Sequence, residues 1–180
     1  GYNNRRSNIV AIGDSALFNN GTGASGIGND AFWNTAIGSK AMYRNTTGNS
    51  NTAIGFEALK SNTVSSGNTA IGFGALFFSN VGADNNTAIG SDALVNNITG
   101  NSNVALGYQA GFSELGSNKL YIESSGADKN NALIYGDFAA DSLLLNAKTV
   151  VRDNAVIRGY TKLGGYEADV PSIKMKELSG

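Results

Sequence analysis

Four carboxylates, Asp14, Asp30, Glu57 and Asp92, stand one or two residues after a glycine in a phrase that recurs along this chain. Two carboxylates across a cleft are the machinery of glycoside hydrolysis, one supplying a proton and the other attacking or activating water. The spacing favours a plainer role. Other copies of the phrase place Ser39-Lys40, Phe73-Gly74 or Tyr108-Gln109 after the glycine, so the acids read as solvent-facing turn residues. The chain holds no histidine and no cysteine, the usual general base and thiol nucleophile. It is expected not to be an enzyme.

Metal and nucleotide chemistry find no better footing. There is no D-x-D-x-D-G loop, and "GADKNN" at Gly126–Asn131 reads as a turn before it reads as a calcium site. "GTGASG" at Gly21–Gly26 lacks the Lys-Ser/Thr ending of a phosphate cradle. No cofactor and no metal are expected. The sequons at Asn20, Asn45 and Asn97 are what chance gives in an asparagine-rich chain.

The elements that carry these residues are set by an unusual composition. Glycine and asparagine each occur 24 times, against one proline, and only 15% of residues are charged where an ordinary domain carries about 25%. With 41% hydrophobic residues and a net charge of −1, the chain is expected to fold. Both abundant residues tolerate positive φ, which predicts many tight turns. Near-neutral charge excludes a phosphate-neutralising surface, the nearest approach being Arg5-Arg6, so no nucleic-acid partner is expected. No apolar run approaches the roughly 20 residues of a membrane helix, so no direct membrane insertion by this segment is expected. Gly1 in place of Met and the ending "IKMKELSG" suggest a piece of a longer protein.

A repeat organises the first 112 residues. Seven copies of one phrase align: "AIGDSAL" at Ala11, "GIGNDAF" at Gly26, "AIGSKAM" at Ala36, "AIGFEAL" at Ala53, "AIGFGAL" at Ala70, "AIGSDAL" at Ala88 and "ALGYQAG" at Ala105. Their central apolar residues are Ile12, Ile27, Ile37, Ile54, Ile71, Ile89 and Leu106, at spacings of 15, 10, 17, 17, 18 and 17. The glycines that follow are Gly13, Gly28, Gly38, Gly55, Gly72, Gly90 and Gly107. A fixed period of this size is the signature of a solenoid.

Each copy reads as one coil. In "NTAIG" a short strand points Thr and Ile to one face and Asn, Ala and Gly to the other. The glycine marks positive φ or a close backbone approach, and x-x-Ala-Leu supplies a second short strand. Variable stretches such as "YRNTTGNSN" and "KSNTVSSGN" are the corners. The ten-residue step from Ile27 to Ile37 predicts a coil without this corner. A short helix in each repeat competes weakly, since glycine and asparagine are poor helix formers. The expected core of a coil is the Ile column, a Leu and a few Ala. Layers this thin predict self-association, with the Ala side of "TAIG" as the contact surface.

The phrase N-[TS]-x-A-[IL]-G-x-x-[AS] resembles the head repeat of trimeric autotransporter adhesins of the YadA-like type, over Asn8 to about Gly111. Similar repeats occur in trimeric tail-fibre proteins of phages and phage-like contractile particles. The resemblance implies a left-handed parallel β-roll joined three at a time, a homotrimer, extracellular placement, and a cell-surface glycan or protein receptor. The period of seventeen, longer than about fourteen in the usual head repeat, implies longer corner loops.

After Phe112 the charge density more than doubles, from 5 basic and 5 acidic residues in the first 112 to 8 and 9 in the last 68. "KLYIESS" and "ALIYGDF" read as a hairpin joined through "GADKNN". Residues 113–165 are read as a second all-β module, with intertwining about a threefold axis as one arrangement, and 166–180 as a connector. "SNKLYIESS…ALIYGDF" also resembles segments that follow head-like repeats in bacterial tail-fibre-like proteins.

The expected fold is all-β, a parallel β-solenoid of about seven short coils followed by a smaller all-β module. The expected role is structural presentation or attachment by a trimeric fibre, with an adhesin head as the alternative. Candidate ligand or trimer contacts are the corner aromatics Trp33, Tyr43, Phe77 and Phe78. A further alternative is an ice-binding solenoid, because Thr35, Thr52, Thr69 and Thr87 form a column. That idea requires the threonines to point outward.

Overall fold

The computed structural model describes residues 9–22, 31–126 and 128–146, all within one compact unit, Gly1–Lys148. The copy at Gly26 with Ile27 and Gly28, the acid Asp30, and everything from residue 147 onward lie outside the described residues.

The described chain is all-β. Nine strands form one sheet in sequence order: β1 (Val10–Ile12), β2 (Thr35–Ile37), β3 (Thr52–Ile54), β4 (Thr69–Ile71), β5 (Thr87–Ile89), β6 (Val104–Leu106), β7 (Lys119–Ile122), β8 (Ile134–Asp137) and β9 (Ser142–Leu145). β1 to β7 are parallel, and the repeated phrase pairs with itself: Thr52 lies against Thr69, Ala53 against Ala70 and Ile54 against Ile71. This is a parallel β-solenoid of about five turns.

The expected count of seven coils is too high. β1 pairs directly with β2, Ile12 against Ile37, so no wall strand from the copy at Gly26 comes between them. Ile12 and Ile37 are thus neighbours in the wall although 25 positions apart, against 17 or 18 between the later copies. The resemblance of "GIGNDAF" to the phrase is local, for it lacks the asparagine that precedes the strand in the regular coils.

The core is also assigned differently. Ala36, Ala53, Ala70, Ala88 and Ala105 are fully buried, as are Leu17, Met42, Leu59, Leu76 and Leu94 from the opposite wall. The isoleucines face out: Ile12 is 58% and Ile89 40% exposed, and Ile37, Ile54, Ile71 and Leu106 are half-buried. The expected Ile core is therefore corrected to an Ala–Leu core, and the Ala side is interior and not a contact surface. The physical reason is thickness. Tight turns bring the two walls so close that a wall facing Leu has room only for methyl groups.

The second wall is not a strand. It is two tandem turns per coil, closed in the third coil by Ala58 N–H to Gly55 O at 3.4 Å and Asn62 N–H to Leu59 O at 3.2 Å. Lys40, Glu57, Asp92 and Gln109 take φ of 55–58°, and Met42, Leu59, Leu76 and Leu94 take 49–53°. Left-handed backbone costs an L-residue about 1–2 kcal/mol. Burial of each leucine returns about 1.5–3 kcal/mol, and the left-handed residues reach the neighbouring coils, as in Leu59 N–H to Ala75 O at 2.9 Å and Glu57 N–H to Ser39 O at 3.0 Å.

Asparagines hold the corners. Asn34, Asn51, Asn68, Asn86 and Asn103 are fully buried before their strands, and each side-chain oxygen accepts the backbone N–H of the next coil at 2.9–3.0 Å. A second column, Asn20, Asn45 and Asn62, passes side-chain bonds from coil to coil at 2.6 and 2.9 Å. Stacked carboxamides of this kind satisfy backbone groups that a glycine-rich corner would leave buried and unpaired.

The strands after Phe112 join the same sheet. β7 pairs parallel to β6, and β7–β8–β9 run antiparallel, with Tyr121 opposite Tyr135. The predicted hairpin is therefore present, and it extends the roll's wall without a break in the sheet.

Candidate functional site

Two surfaces stand out once the core is removed from consideration. The first is the outer face of the sheet. Because the register is exact in residue type, Thr35, Thr52, Thr69 and Thr87 form one outward column and Ile37, Ile54, Ile71 and Ile89 a second. Directly opposed residues share a face, so the stripe continues through Val104 and Leu106 to Leu120 and Ile122, then Ile134, then Leu143 and Leu145. At its two ends it is well exposed, Val10 at 44% and Leu143 at 62%. The sequence pattern placed Thr and Ile together on one face. It did not tell which face was inside.

The second surface is aromatic. Trp33 is 61% exposed and tilted against Phe32 at 5.9 Å, and Tyr43 stacks on Phe18 at 5.2 Å. Phe77 and Phe78 meet edge to face at 4.6 Å, with Lys60 Nζ 5.0 Å from the Phe77 ring centre. The four predicted aromatics thus belong to three separate pairs. Sequence reading passed over Phe56 and Phe73, stacked at 5.4 Å on adjacent coils. The signal was present in the phrase "IGF" printed in two successive repeats.

Of the four carboxylates, the three described, Asp14, Glu57 and Asp92, form no cluster of three. Glu57 lies between Lys60 at 2.6 Å and Lys40 at 3.9 Å, an ion-paired surface group. Asp14 is exposed on the first coil and Asp92 sits on a left-handed turn residue. Among the described residues no group of three or more His, Cys, Asp or Glu side chains could hold a metal ion. Asp128 in the hairpin turn accepts the N–H groups of Asn130 and Asn131 at 3.0 and 3.2 Å, an Asx turn. No helix among the described residues is long and apolar enough to cross a membrane. The sequon residues Asn20, Asn45 and Asn97 are fully buried within the corners, where no glycan could be attached to the folded chain, whereas a fourth sequon, Asn85-Asn86-Thr87, has its asparagine exposed.

At the C-terminal end of the roll an open cavity of about 230 Å³ is lined by Gly111, Ser113, Glu114, Tyr121, Asp128 and Lys129. Tyr121 donates its hydroxyl to Glu114 Oε2 at 2.7 Å, and burial, then that bond, pushes its pKa up. Next to it Lys119 Nζ and Asp137 Oδ2 pair at 2.5 Å across β7 and β8. Their hydrogen bond raises the lysine's pKa and lowers that of the aspartate. These groups close the roll and pair its hairpin.

No family model, curated protein or solved structure matches the chain.

Proposed function

We propose that this chain is a segment of a homotrimeric fibre that presents an attachment surface to a target cell, without catalysis. The observation that supports it is the continuous apolar stripe on the outer face of all nine strands. Eight strand spacings of about 4.8 Å make it about 38 Å long. A stripe of that length is costly to leave in water. Further copies of the same chain are suited to cover it, because copies related by an axis along the stack meet with identical columns at identical heights. The resemblance of the repeat to YadA-like heads and trimeric tail fibres points to the same arrangement and to an extracellular setting.

A fibre of a phage or phage-like contractile particle is the first reading, with the head of a trimeric autotransporter adhesin as its alternative. The full-length sequence separates them. A C-terminal membrane β-barrel means adhesin, and a baseplate-binding N-terminus or terminal chaperone means fibre. The receptor is a cell-surface glycan or protein, and the exposed Trp33 and Phe78 are suited to contact it. Fluorescently labelled segment should bind a subset of intact bacterial or eukaryotic cells in flow cytometry. Periodate treatment of those cells abolishes binding to a glycan and spares binding to a protein. Failure to bind any cell across a broad panel contradicts attachment by this segment.

An ice-binding solenoid is the second reading, favoured by the outward direction of the threonine column. It needs the same face left bare. Thermal hysteresis in a monomeric sample would establish it.

A further inference from the structure

The asparagine columns are interrupted at one coil, beside which Asn97 Oδ1 is also buried and unpartnered. In the regular coils two asparagines share one corner carbonyl. Asn34 and Asn45 both donate to Gly48 O at 2.8 and 2.9 Å, Asn51 and Asn62 to Ser65 O at 2.9 and 3.0 Å, and Asn86 and Asn97 to Gly100 O at 2.9 and 2.8 Å. The fourth coil pairs Asn68 with Ser79 instead. Its corner is one residue longer, seven positions from Ser79 to Asn86 against six from Asn62 to Asn68. Asn68 Nδ2 and Ser79 Oγ are both buried and both unpartnered. Buried polar atoms in that state cost about 1–3 kcal/mol each.

We propose that an internal water molecule occupies the place of the missing carboxamide at Ser79. Serine is shorter than asparagine by space on the order of the ~30 Å³ share of one water. A water there accepts from Asn68 Nδ2 and exchanges a bond with Ser79 Oγ. It also lies along the side-chain column between Asn62 and Asn97, whose neighbours elsewhere bond directly, as Asn62 does to Asn45 at 2.9 Å. Two to four polar partners are what a buried water requires. The inference rests on the fourth coil alone and is independent of the oligomeric state.

The test is a crystal structure of the whole segment at a resolution that shows ordered water, with the Ser79→Asn variant beside it. The expected result is one water within hydrogen-bonding distance of Asn68 Nδ2 and Ser79 Oγ in the parent. In the variant the new carboxamide should displace it, bonded to Asn62 and Asn97, with a melting temperature higher by about 3 °C. A protein carbonyl bonded directly to Asn68 Nδ2, or a dry void, overturns the proposal. So does a variant that melts below the parent, because the carboxamide's volume would then not be there to fill.

Discussion

Tyr121 fills the space that the leucine column vacates at Gly111. Position by position the inner columns run Ala36 to Ala105 on the strand wall and Leu17 to Leu94 on the turn wall; at the last coil the sizes swap, with Tyr121 following Ala105 and Gly111 following Leu94. A Cβ on Gly111 would lie 2.9 Å from Leu94 Cδ2 and 3.2 Å from Tyr121 Cδ2. The swap lets one ring close the end of the core, where it packs edge to face on Tyr135 at 5.1 Å.

Tyr121→Ala should therefore open the end of the roll and cost about 3–5 kcal/mol in chemical denaturation. Gly111→Leu alone should also destabilise, through the occupied space and a φ of 61°. Combined, the two changes should cost less than the sum of the single effects, a coupling that a double-mutant cycle measures.

Gly55→Ala should prevent folding. Gly55 has a φ of 135°, and a Cβ there would collide with the backbone carbonyl of Gly72 in the next coil. Neither a backbone atom nor a strand register can move aside for one methyl group. The variant should be insoluble or lack the β spectrum in circular dichroism; wild-type stability would contradict the stacking.

Asn51→Ala should cost about 2–4 kcal/mol. It removes the acceptor of Asn68 N–H at 2.9 Å and leaves that buried group without a partner, and it takes one of two donors from Ser65 O, which keeps the bond from Asn62 at 3.0 Å. Thermal melting checks this. An exposed asparagine such as Asn101 replaced by alanine should change little, as it belongs to neither column.

The hairpin should lose stability at both pH extremes. Asp137 is held below its ordinary value by Lys119, so its contribution is present above about pH 4 and lost as pH falls through the depressed folded value. Lys119 and Tyr121 are raised, the first by its bond to Asp137 and the second by burial. Their contributions are complete below about pH 10 and are lost as pH rises through the folded values. Amide protection factors in β8, taken relative to the intrinsic exchange rate at each pH, should be highest between these limits, and Asp137→Asn should flatten the acid side.

Much of the fold was legible because one phrase repeats. The parallel register, the glycine that ends each strand and the β7–β8 hairpin follow from "NTAIG" pairing with itself and from "GADKNN" lying between two apolar runs. The direction of the strand faces was not legible. A period of two separates Ala53 from Thr52 and Ile54, yet says nothing of which side is inside, and the larger residue was the wrong choice for so thin a roll. The left-handed turn wall was hidden for a different reason. Lys40, Glu57 and Leu59 are residues that avoid positive φ in isolation, and only the stacked neighbours hold them there. The asparagine columns looked like loop composition, since asparagine is common in turns and its burial is a tertiary fact.

Ile54→Glu provides a control on the oligomeric face. The side chain points outward from the sheet, so the charged variant should keep the β spectrum of the parent while separating into monomers. A loss of folding with the loss of association would instead place Ile54 in the core of the single chain.

The central claim is that further copies cover the Thr–Ile face, and the solution mass of the segment tests it most directly. Multi-angle light scattering should give about three times the 18.6 kDa of one chain. A stable, folded monomer across a range of concentrations would contradict the fibre account and leave the outer face bare for the ice-binding reading.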